Sequence, residues 1–252
     1  MRFKHVLKAV VPVVALAIAG GLASGCDNAD FKVNGKQGVP LSELDLSGEP
    51  PSEVVLLGPD KVEIRDGETL AIEVEGSDEA KERMRFVLEN GSLGILRSKS
   101  DWKEDGIATV IVTMPAPGKL TLAGSGRITA ASVSDRPEIN VLGSGTLDLP
   151  SVAAGRMSVT IAGSGTLIAA GTAERLDLNV MGSGDASMRR LKVETADVTV
   201  AGSGDATFAS DGEVRATILG SGDVTVHGGA RCKVKTIGSG TLTCERETEP
   251  AD

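Results

Sequence analysis

From residue 124 onward the triplet Gly-Ser-Gly returns seven times, beginning at Gly124, Gly143, Gly163, Gly182, Gly202, Gly220 and Gly238, with spacings of 19, 20, 19, 20, 18 and 18 residues. A period this regular is the signature of stacked repeats, in which each unit buries its apolar face only against its neighbours. The residues between the triplets decide whether that unit is helical or extended. The second and fourth places before each first glycine read Leu122/Leu120, Val141/Ile139, Ile161/Val159, Val180/Leu178, Val200/Val198, Ile218/Ala216 and Thr236/Val234. The third place, between them, reads Thr121, Asn140, Thr160, Asn179, Thr199, Thr217 and Lys235. Alternation of period two is a strand with one buried face. It resumes after each triplet with Ile128/Ala130, Leu147/Leu149, Leu167/Ala169, Ala186/Met188, Ala206/Phe208, Val224/Val226 and Leu242/Cys244, so a second strand follows each corner.

Two short strands per unit cannot bury their apolar faces alone. Stacked rung on rung they can, each strand pairing in parallel with its equivalent one repeat later at about 4.8 Å. The pattern therefore predicts an all-β chain, a parallel β-solenoid or β-helix of seven Gly-Ser-Gly rungs. Parallel crossover connections are overwhelmingly right-handed, and the same hand is expected here. The paired glycines Gly124 and Gly126, Gly143 and Gly145, Gly163 and Gly165, Gly182 and Gly184, Gly202 and Gly204, Gly220 and Gly222, and Gly238 and Gly240 are read as structural turn residues. They supply backbone angles barred to other residues and let successive corners stack closely. The serines from Ser125 to Ser239 should then form a column of hydroxyls, with a Thr/Asn column beside it.

What the chain lacks narrows its chemistry. Among 252 residues there is no tyrosine, one tryptophan (Trp102) and four phenylalanines, Phe3 among them. Stacking platforms for single-stranded nucleic acid and aromatic-lined sugar grooves are thereby disfavoured. His5 and His227 are the only histidines, which leaves one imidazole after any leader is removed and excludes a multi-histidine metal site within one chain. The net charge of −9 offers no attraction for nucleic acid or anionic headgroups.

Residues 1–25 read as a signal peptide: Arg2, Lys4 and Lys8, then an apolar run from Val6 to Ala19, too short to span a membrane. The run ends Leu22-Ala23-Ser24-Gly25-Cys26, which resembles the lipobox of bacterial lipoproteins, although Ala23 stands where leucine is usual. The resemblance implies cleavage before Cys26, its acylation, and a protein that sits on a membrane without crossing it. The other reading is an ordinary secretory signal with Cys26 a free thiol. Asp27 resembles an inner-membrane retention signal of enteric bacteria, so inner and outer membrane both stay open. Loss of the leader leaves 23 basic against 35 acidic residues, a net −12. From Asp27 to Gly118 the balance is 19 acidic to 10 basic, against 16 to 13 from Lys119 to Asp252.

The first half is less regular. Val54–Leu57, Lys61–Ile64 and Thr69–Val74 read as strands separated by Gly-Pro-Asp and Asp-Gly turns. Asp78 to Arg83 could begin a helix, while Met84–Leu88 and Leu93–Leu96 around Asn90-Gly91 read as a hairpin. The chain thus divides into a leader (1–25), a lipidated cysteine and polar tether (26–40), irregular opening rungs (41–118), the regular solenoid (119–245) and a charged tail (246–252).

The units Gly182-Ser183-Gly184-Asp185-Ala186 and Gly220-Ser221-Gly222-Asp223-Val224 resemble those of the bacterial family called the putative auto-transporter adhesin head GIN domain. The resemblance runs from about Leu41 to Glu245 and takes in Ile107–Pro115 and Leu120–Gly126, similar to the strand that leads into that family's first repeat. It implies an exported β-solenoid without an established activity, and it carries no residue-level assignment of function.

Four features bear on chemistry. Asp185, Asp205 and Asp223 occupy one place in three successive rungs and invite calcium, but Arg127, Thr146, Thr166 and Thr241 hold that place elsewhere. Exchange of Asp with Thr suits a turn residue whose oxygen accepts a backbone hydrogen bond. A carboxylate-dependent polysaccharide hydrolase or lyase would need a cleft with convergent acids, where these corners are short and uniform. Serine hydrolysis would rest on His227 as sole base, in a corner expected to be exposed. Cys232 and Cys244 stand six places either side of Gly238, both with inward parity, and read either as a disulfide closing the last rung or as two buried thiols. The sequence thus favours a non-catalytic structural or interaction module of the cell envelope with no cofactor, its envelope or surface partner unidentified.

Overall fold

The computed structural model describes residues 38–98 and 106–245. The first half supplies β1 (Glu53–Leu57), β2 (Lys61–Asp66), β3 (Ala71–Glu75), a short helix α1 (Asp78–Arg83), β4 (Met84–Glu89), β5 (Ser92–Arg97) and β6 (Thr109–Met114). The repeat supplies β7 (Lys119–Gly124), β8 (Arg127–Ala130), β9 (Glu138–Gly143), β10 (Thr146–Gly163), β11 (Thr166–Gly182) and β12 (Asp185–Gly202). The last elements are β13 (Ala206–Gly220), β14 (Val224–His227), β15 (Arg231–Gly238) and β16 (Leu242–Glu245).

The repeat is a parallel β-solenoid. Its register places Gly124, Gly143, Gly163, Gly182, Gly202, Gly220 and Gly238 one above another. The alternating apolar positions all fall on the inner face, and Leu122, Val141, Ile161, Val180, Val200 and Ile218 form one fully buried column. Each such side chain contributes roughly 1.5–3 kcal/mol by leaving water, and no single rung could collect that alone.

Each rung has three sides where the repeat pattern indicated two. In β10 the buried residues fall in three groups, Leu147/Leu149, Val152/Ala154 and Met157/Val159/Ile161, and the register with β11 shifts between Leu149 and Val152. The middle side is short. Its two inward positions between bends are too few to stand out as alternation.

The first half adds two rungs out of chain order. β1 pairs in parallel with both β7 and β5, and β2 with both β8 and β6. The rung made first is therefore sandwiched between the repeat and the rung made second. β3 and β4 then run antiparallel against β6 and β5 and cap that end. Helix and hairpin both form: Ser77 caps α1 by accepting from the Ala80 N–H, and Asn90-Gly91, with φ of 52° and 73°, makes the turn from β4 to β5.

Candidate functional site

The outer surface is built as ladders, and the corner ladder comes first. In each triplet only the first glycine has a positive φ, from 114° at Gly182 to 137° at Gly202. The third-place glycines are required for space instead: a Cβ on Gly184 would lie 2.6 Å from the Gly165 carbonyl oxygen, and one on Gly204 would lie 2.1 Å from that of Gly184. The expectation that both glycines need unusual angles is corrected to one angular and one steric requirement. The serines between them are exposed from Ser125 to Ser239.

Beside this corner the aspartate column is tied to the backbone. Asp185 Oδ1 accepts from the Asp205 N–H at 3.2 Å, Asp205 Oδ1 from the Asp223 N–H at 2.8 Å, and Asp223 Oδ1 from the Thr241 N–H at 2.8 Å and its hydroxyl at 2.7 Å. The Thr241 hydroxyl, then its N–H, holds the Asp223 carboxyl below its ordinary value of 3.8. Among the described residues no group of three His, Cys, Asp or Glu side chains is placed to hold a metal ion.

A second outer column, overlooked in the sequence, directly precedes the corner. Ala123, Leu142, Ala162, Met181, Ala201, Leu219 and Ile237 stack in register on the outer face. Met181, Leu219 and Ile237 stand 48%, 43% and 74% exposed. The signal was available, since the place before each triplet is apolar in all seven repeats although its parity points outward.

The bend between the middle side and the third side of each rung forms an open groove of about 640 Å³ across the stacked rungs, lined by Asp135, Gly155, Glu174, Lys192, Glu194 and Asp211 among others. Asp135 Oδ1 accepts from the Gly155 N–H at 2.8 Å, and Asp211 accepts from the Gly229 N–H at 2.9 Å while pairing with Lys192 Nζ at 2.7 Å. The Gly229 N–H, followed by Lys192, pushes the Asp211 carboxyl down, and Asp211 pushes the Lys192 ammonium up. These shifts fix charge. A general acid needs the opposite displacement, a carboxyl raised toward neutral pH.

His227 is buried, not exposed: it lies between two rungs, opposite Glu245 of β16, with Nδ1 3.1 Å from Glu245 Oε2. Cys232 and Cys244 are joined in a disulfide across the last rung. Both have the inward parity, but among the described residues no rung covers them, and Cys232 is half-buried and Cys244 exposed. Cys26, the leader and the charged tail lie outside the described residues.

The family model described as "Putative auto-transporter adhesin, head GIN domain" matches residues 50–230. The chain belongs to this family. Solved structures similar to this head GIN domain include a "putative adhesin" from Bacteroides fragilis, with TM-score 0.72 and 18% identity over 78% of this chain and 93% of that one. A "putative lipid binding protein" from Parabacteroides distasonis is similar with TM-score 0.62 and 20% identity, over 79% of this chain and 94% of that one. A further "putative adhesin", from Parabacteroides merdae, has TM-score 0.63 and 17% identity, over 78% and 92%. At these identities the likeness to solved structures is one of fold. No curated protein matches. Among the described residues of the head GIN domain no helix is long and apolar enough to cross a membrane.

Proposed function

We propose that this head GIN domain is an exported lipoprotein, held on a bacterial membrane through acylated Cys26, that works as a non-catalytic interaction module of the cell envelope. The observation that carries the reading is the disposition of its polar groups. Asp185, Asp205 and Asp223 are engaged with the backbone of the next rung, and Asp135 and Asp211 of the groove with N–H groups of theirs. Residues so engaged build a rigid, patterned surface, and their oxygens are committed to main-chain N–H groups. The family and its structural neighbours are named for adhesion and lipid binding, which is consistent with recognition as the task. The Leu22–Cys26 segment supports the anchor.

Cell fractionation tests this reading. Wild-type protein is expected in the membrane fraction and Cys26→Ser in the soluble one; unchanged partitioning would remove the anchor. Crosslinking in intact cells should join the wild type to envelope components.

A further inference from the structure

The two ends of the solenoid are finished differently. At one end β3 and β4 close the stack, and the described chain enters there through the Val39–Phe86 bridge. At the other, among the described residues, β15 pairs with β13 alone and β16 with β14 alone. Both strands therefore present a row of unpaired main-chain donors and acceptors. Nine strand spacings of about 4.8 Å separate β4 from β15, so a chain tethered through its N-terminal segment carries this open edge roughly 43 Å from the capped end.

The side chains of β15 alternate as in every rung below. Cys232, Val234 and Thr236 continue the inner face; Arg231, Lys233, Lys235 and Ile237 point outward, and all four are exposed. In lower rungs opposite charges meet on this outer face: Lys119 lies 3.4 Å from both Glu53 and Glu138, and Arg215 lies 3.9 Å from Asp197. Arg231, Lys233 and Lys235 have no ion-pair partner among the described residues, and the residue beneath Lys233 is Arg215. A basic edge has thus formed on an acidic protein.

Three like charges on alternate residues reject a second copy of this strand, whose own cations would lie about 5 Å away. They accept a strand of opposite sign. The geometry points to the β15 edge as a docking site for an acidic, extended segment of another protein, added as one more strand. Its carboxylates would face Arg231, Lys233 and Lys235, and its apolar residues would cover Val234, now 48% exposed. This rests on the reading of the chain as an interaction module and gives that module its binding surface.

The test titrates the purified full-length protein with a fluorescein-labelled peptide in which Glu alternates with Val. One control replaces Glu by Lys. The other alternates Glu with Pro, which carries the charge but cannot pair as a strand. The Glu/Val peptide should bind roughly tenfold tighter than the Lys/Val peptide, the difference a few rim ion pairs make, and should weaken as salt rises. The double variant Lys233→Glu, Lys235→Glu should transfer the preference to Lys/Val, whereas Arg189→Glu with Arg190→Glu, exposed in mid-solenoid, should leave it unchanged. Absence of binding, equal binding of Glu/Pro, or indifference to the charge reversal would overturn the assignment. Self-association that the Glu/Val peptide cannot displace would give the edge to a second copy and overturn it too. Anchoring is read separately by fractionation, so failure here leaves that reading standing.

Discussion

Asp60 and Arg97, 37 positions apart, close a two-point ion pair with both side chains fully buried: Nε donates to Oδ2 at 2.6 Å and Nη2 to Oδ1 at 2.5 Å. Asp60 sits beneath Gly126 in the corner column and also accepts from the Ala108 N–H at 2.8 Å, so one carboxylate joins the rungs that lie out of chain order. Asp60→Ala strands a buried guanidinium and should cost about 3–5 kcal/mol in urea unfolding. Asp60→Leu with Arg97→Met should cost much less than the two single changes together, because the pair is replaced and not broken. Additive losses would mean that the two side chains act independently.

The corner glycines should be intolerant for two separable reasons. Gly182, at φ 114°, should be destabilised by alanine through backbone strain and through its contact with the Gly163 carbonyl, by on the order of 1–3 kcal/mol. Gly184→Val and Gly204→Val fail on space alone and should cost at least as much. Ser183→Ala should shift stability by less than about 0.5 kcal/mol, since Ser183 is exposed and its main-chain N–H still reaches Gly163. Thermal melts that leave Gly184→Val at the wild-type midpoint would defeat this picture of the corner.

Much of this was legible because parity along a strand follows from covalent geometry: once Leu120 and Leu122 point inward, Thr121 and Ala123 must point outward. The seven corners and the inward parity of Cys232 and Cys244 follow from that count, while the choice between a disulfide and two thiols does not and is made by the structure. The rung order of the first half does not, since Asp60 is a polar residue in a glycine's place and its partner arrives through long-range pairing with no local pattern. His227 was misplaced for a related reason. The two glycines that follow it, Gly228 and Gly229, look like an open corner in one dimension, and its cover, Glu245, is supplied by the next rung.

Acid should loosen the C-terminal rungs first. The Asp223 carboxyl is held down by the Thr241 hydroxyl and N–H, and that of Asp211 by the Gly229 N–H and Lys192. A folded-state pKa below the unfolded one adds stability that is complete above the unfolded value, 3.8, and is lost as pH falls through the lower folded value. The melting temperature should be flat on this account between about pH 7 and 5 and should drop below about 4. Asp223→Asn should flatten part of that acid limb. An unaltered limb would assign it to other carboxylates.

The Cys232–Cys244 bond closes the rung that, among the described residues, has no neighbour above it, joining β15 to β16 across the Gly238 corner at a sequence separation of 12. Lower rungs are held from both sides by pairing and by a continuous core; this one has pairing on one side, and Val234 and Ile237 remain exposed. Closing so short a loop should contribute about 2–3 kcal/mol by the chain-entropy estimate. Because the units of a solenoid couple mainly to their neighbours, the loss on reduction should be local. Reduced protein, or Cys232→Ser with Cys244→Ser, should lose amide-exchange protection in β15 and β16 while β10 to β12 keep theirs. Thiol labelling of the denatured, unreduced exported protein should find neither cysteine, and both after reductant. Two free thiols without reductant would return the pair to core filler and leave the last rung held by its hydrogen bonds to β13 and β14.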